Sequence, residues 1–125
     1  MSNNEIKIKI TEQFEETRST ARRLTNDVAK AGGFEGQHGA ARKAAVESSL
    51  AGIDAIFEKG SISLQDVKQL SEFFKTLYET LGKAAANTSQ MSEEMKKLID
   101  TQIKTIDKLD KKREEQIALL SQGKF

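Results

Sequence analysis

Apolar residues along most of this chain recur at alternating intervals of three and four, the period of one face of an α-helix. Phe14, Thr17, Ala21, Leu24, Val28 and Ala31 form a first narrow stripe. Thr11 stands before it as a helix cap. Glu12, Glu15 and Glu16 lie in its first turns, where the helix dipole favours negative charge. A second stripe runs through Val46, Leu50, Ile53 and Phe57, preceded by the small residues Ala40, Ala41, Ala44 and Ala45. The third, Leu64, Val67, Leu70, Phe74, Leu77, Leu81 and Ala84, is the most regular, and Phe73 and Tyr78 widen it. The fourth is Met91, Met95, Leu98, Ile99, Ile103, Ile106 and Leu109, followed by the polar run Asp110 to Gln116. Within that run Lys111 and Glu115 are spaced for an i,i+4 ion pair.

These stripes predict helices at about 11–31, 37–58, 64–86 and 90–121, with Gly32-Gly33, Lys59-Gly60 and Asn87-Thr88-Ser89 as breaks. Ser61 or Ser63 caps the third helix, with Asp66 three residues after Ser63 in a capping-box pattern. Ser92, followed by Glu93 and Glu94, opens the fourth. Ile6, Ile8 and Ile10 instead alternate with lysines, a period of two that predicts an extended arm over residues 1–10. Residues 11–122 then form one helical domain, and 123–125 a frayed tail. The expected fold is all-α, a helical hairpin or four-helix bundle with coiled-coil-like seams. Six Phe, one Tyr and no Trp suit narrow aliphatic seams between long helices.

Charge narrows the function classes. Residues 1–60 carry nine basic and nine acidic side chains, residues 61–125 eleven and ten, and signs alternate along the chain. A protein that neutralises phosphates gathers its cations on one face, so neither nucleic acid nor an anionic membrane is expected as a partner. With no cysteine there is no disulfide or thiolate site. No apolar run reaches membrane-spanning length, so no membrane insertion is expected. The N-terminus lacks a signal-peptide core; cytoplasmic residence, or export without a cleaved signal, follows as the expectation. His38 is the only histidine, set in a glycine-rich turn. Neither a strand-to-helix elbow around a serine nor an ExxH pair accompanies it. No catalytic residue, metal ligand or cofactor site is assigned, and enzymatic activity is not expected.

One stretch points further. Ala31 to Arg42 read AGGFEGQHGAAR, placing Gly33, Phe34 and Gly36 between two amphipathic helices. A phosphate-loop reading fails for want of GxxxxGK[ST] and of a preceding strand. Phe34-Glu35-Gly36, followed by Gly39, Ala40 and Ala41, resembles the aromatic-x-Gly turn of the WXG-motif family of small helical proteins exported by type VII secretion. That resemblance implies an antiparallel hairpin. It also implies a role as secreted substrate or as escort of an LXG-type toxin, working by helix–helix pairing with a larger partner. The Ile-Lys-Ile start is similar to that of the small helical partners of such toxins. The chain departs from the pattern in carrying Phe for Trp, in a shorter first helix, and in the 40 residues after Ala85. The family's Tyr-x-x-x-acidic signal has no counterpart from Tyr78, whose fourth following residue is Gly82; Ile103 to Asp107 and Ile106 to Asp110 keep only a bulky-xxx-acidic form.

Other binding roles fit the same pattern: a toxin-immunity or phage-encoded inhibitor protein in the cytosol, or a self-assembling coiled coil. In each, aliphatic seams are buried between helices. Leu24, Val28, Leu70, Phe74, Leu77 and Leu81 are the expected seam residues, facing either an internal core or a partner.

Overall fold

The computed structural model describes the backbone of residues 3–121 and the side chains of residues 11–119. It contains four helices: α1 (Asn3–Lys30), α2 (Gly39–Phe57), α3 (Leu64–Ala86) and α4 (Glu93–Ser121), with no strand among the described residues. α3 falls at the limits its pattern predicts, and α2 and α4 start two or three residues later than expected. The N-terminal segment is corrected: residues 3–10 are the first turns of α1, not an extended arm. A lone strand has no neighbour to take its backbone hydrogen bonds, whereas each residue added to an existing helix gains one. Met1, Ser2 and the predicted tail at 123–125 lie outside the described residues.

The helices run up, down, up and down. Arg18 and Arg22 of α1 meet Asp54 and Phe57 of α2, so these two helices are antiparallel. Phe14 stacks on Phe74 and the Tyr78 hydroxyl reaches the Thr17 carbonyl, which makes α1 and α3 parallel. Lys75 of α3 faces Asp107 and Asp110 of α4 while Gly82 lies beside Ile99, so these two are again antiparallel. α3 touches all three other helices and α1 does too, while among the described residues α2 and α4 do not meet. The bundle is therefore a flattened diamond with α1 and α3 across its short diagonal.

The core follows the stripes. Phe14, Ala21, Leu24, Val28, Val46, Ile53, Val67, Leu70, Phe74, Leu77, Tyr78, Leu81, Ala84 and Ile106 are fully buried. Full burial of each large apolar side chain contributes about 1.5–3 kcal/mol. At the centre the Phe14 and Phe74 rings are parallel with centroids 5.4 Å apart, and Tyr78 continues the stack at 6.2 Å. Aromatics are few, but three of them are gathered at one point. The Tyr78 hydroxyl donates to the Thr17 carbonyl at 2.6 Å inside the core, and burial pushes the phenol pKa well above its ordinary value.

Local signals start α3 and α4 where the sequence marks them, whereas Thr11, marked as the cap of the first helix, lies inside α1. Ser63 Oγ accepts from the Asp66 N–H at 3.1 Å, and Asp66 accepts from the Ser63 N–H at 2.9 Å, completing the capping box of α3. Ser92 Oγ accepts from the Met95 N–H at 3.2 Å and caps α4.

Candidate functional site

Two of the three turns meet at one end of the bundle. α1 stops in a Schellman motif: the Gly33 N–H donates to the Val28 carbonyl at 2.9 Å and the Gly32 N–H to the Ala29 carbonyl at 3.2 Å. Gly32 takes the left-handed conformation this motif needs, with φ +84°. Gly33 sits where any Cβ would press on Val28 and on the Ala84 carbonyl of α3, 2.8 Å away. Gly36 is left-handed as well, with φ +87°, and its surroundings are open. Between them Phe34 is half-buried against the core and closes the end of the seam. The α3–α4 turn is tied to this tip by two side chains. Thr88 Oγ1 donates to the Ala31 carbonyl at 2.6 Å, and Asn87 Nδ2 donates to the Glu35 carbonyl at 3.2 Å. Gly33, Phe34 and Gly36 are thus brought together as a structural tip. Neither Asn87 nor Thr88 was assigned this role from sequence, because a contact spanning more than fifty residues leaves no local signal.

The seam residues have one fate. Leu24, Val28, Leu70, Phe74, Leu77 and Leu81 are all fully buried within the chain's own bundle. They therefore present no face to a partner; of the two faces open to them from sequence, the internal core is the occupied one.

The titratable groups with shifted pKa values are structural. Asp66 is held down to about 2 by the ammonium of Lys59 at 2.7 Å, then by the Ser63 N–H. Burial draws the Lys75 ammonium down, but Asp107 and Asp110 outweigh it and the net direction is up. The Lys111–Glu115 pair spaced for by the sequence does not form; Arg113 instead pairs with Asp110 at 3.2 Å. His38 lies exposed just before α2 and gives that helix no side-chain cap. No three His, Cys, Asp or Glu residues converge as a metal site among the described residues.

What remains for recognition is the outer surface. α2 turns small side chains outward, with Ala40, Ala41, Ala44, Ser48, Ala51 and Ala55 all exposed. α4 turns out something the chain-wise charge count conceals. It carries seven basic residues (Lys96, Lys97, Lys104, Lys108, Lys111, Lys112, Arg113) and seven acidic ones (Glu93, Glu94, Asp100, Asp107, Asp110, Glu114, Glu115). The helix sorts them by face: Lys97, Lys104, Lys108, Lys111 and Lys112 fall within an arc of roughly 100°, and all five are exposed. A helical sort of the charges, rather than a count, would have found this row. No helix among the described residues is long and apolar enough to cross a membrane.

Comparison with known proteins returns no neighbour: no family model matches the sequence, and neither a curated protein nor a solved structure is similar to it.

Proposed function

We propose that this chain is a non-enzymatic helical interaction protein of the WXG-like kind, a type VII secretion substrate or escort that pairs with the helices of a larger effector. The observation that supports the reading is the tip. A left-handed Gly36 two residues after a seam-covering Phe34 joins two antiparallel helices, the arrangement that an aromatic-x-Gly turn implies. Because the seams close inside the chain, pairing would use the outer faces, and the small-residue face of α2 allows close approach of another helix backbone. The test is affinity capture of the full chain from its native cell, with parallel assay of the culture medium. The reading expects a helical effector in stoichiometric complex, and export that stops when the type VII machinery is disrupted. Recovery of the chain only as a lone monomer that never leaves the cell would sink it.

The closed core lends some weight to a second reading, a cytosolic immunity or inhibitor protein. A bundle complete in itself suits a preformed binder. Neutralisation of a toxin without export would select this one.

A further inference from the structure

The lysine row on α4 has properties that an ordinary solvated helix face lacks. Surface helices usually interleave opposite charges one turn apart, because such pairs support the helix while like charges at that spacing weaken it. Here Lys104, Lys108 and Lys112 succeed one another at i,i+4, a like-charge series. Asp100 and Asp107 stand one turn before Lys104 and Lys111, yet among the described residues no carboxylate forms an ion pair with any of the five lysines. The ion pairs of α4 are made by Lys96, Arg113 and the Lys75 contacts instead. Asp107 and Asp110 are turned toward Lys75 on α3, while the exposed Asp100 borders the arc and the exposed Glu115 closes its C-terminal end. Between Glu94 and Glu115 no acidic residue enters that arc, a length of about 22 Å from Lys97 to Lys112 at 1.5 Å per residue.

We infer that this row is a docking surface for an acidic amphipathic helix of a protein partner. The inference rests on the proposed role as an interaction protein and names the chemistry of one of its faces. Spacing selects the occupant. The lysines succeed one another by seven, four, three and one residues, so their axial steps match those of glutamates on one face of a second helix laid alongside. The side chains of the arc favour carboxylate over phosphate partners. The arc holds no arginine for bidentate phosphate contact and no aromatic for base stacking. It also has no large apolar side chain to enter a lipid layer; the exposed Ile117 and Leu119 lie beyond its C-terminal end. Lysine ammoniums on flexible stems are suited to mobile carboxylates at a polar interface, where charge sets orientation and encounter rate.

The test uses the full chain and a fluorescently labelled, stapled helical peptide with glutamates on one face at seven- and three-to-four-residue intervals. Its control has the same composition with glutamates scattered round the helix. A single-stranded oligonucleotide and phosphatidylserine vesicles complete the probes. In low salt the matched peptide is expected to bind at least about tenfold more tightly than the scattered one, and to weaken as salt rises. The triple variant Lys104→Glu, Lys108→Glu, Lys111→Glu changes only exposed side chains. It should keep its helical circular dichroism, lose the acidic peptide, and bind a peptide with lysines in place of glutamates. Equal affinity for matched and scattered peptides, tighter binding of the oligonucleotide or vesicles, or no binding in low salt would overturn the inference. The capture experiment separates this from the broader reading. If the triple variant still recovers the effector that the natural chain recovers, the lysine row is wrong while the interaction role stands.

Discussion

Asp66 is the side chain on which acid stability turns. Its folded pKa lies near 2 against an ordinary value of about 4, so its contribution is fully present above about pH 4. It is lost as pH falls from there through 2, and the shift corresponds to about 2 kcal/mol. Acid titration followed by circular dichroism should show stability declining in that window, and Asp66→Asn should remove most of the decline. Tyr78 and Lys75 act at the opposite limit. Both folded pKa values are raised, so both contribute fully below about pH 10 and lose their contribution as pH rises beyond it. Tyr78→Phe, which leaves the Thr17 carbonyl without its buried donor, is expected to cost about 1 kcal/mol in denaturant unfolding at neutral pH. It should also flatten the alkaline decline.

Among the elements, α3 carries the most and offers the clearest improvement. Gly82 sits in its interior, and a Cβ there would lie 3.8 Å from Ile99 Cγ2, an ordinary packing distance. Gly82→Ala should therefore stabilise the bundle by about 0.5–1 kcal/mol, read as a rise in melting temperature. Phe74→Ala should do the reverse by about 3–5 kcal/mol, since it removes the middle ring of the aromatic stack. These helices were legible because a seam residue such as Leu77 is buried for the same reason that it recurs every three or four positions. The capping box at Ser63 and Asp66 was equally plain, being complete within four residues. The first turns of α1 were not: Ile6, Ile8 and Ile10 fit a strand by period, and only the cost of an unpaired strand decides otherwise. The tip was half legible. Gly32-Gly33 and Phe34 announce a stop, but the bonds from Asn87 and Thr88 join residues 52 and 57 positions apart. The lysine row was hidden for a different reason, since a net charge of +1 says nothing about which side of a helix the charges occupy.

At the scale of the whole molecule, every helix packs on a sequence neighbour, so long-range loops need not close before contacts form. Folding should be fast and two-state, within milliseconds, and stopped-flow chevrons would test that. The same up-and-down order fixes the response to force. The start of α1 and the end of α4 emerge at one end of the bundle, while the α1–α2 and α3–α4 turns are tied together at the other. A pull between those two helix ends opens the α1–α4 pairing one layer at a time, like a zip, and only its last step meets the tied turns. A load applied instead between the start of α1 and the far end of the parallel α3 would have to slide the two helices past each other along their whole contact at once. The bundle is therefore mechanically soft along one axis and firm along another, which favours any process that draws it by an end through a narrow opening.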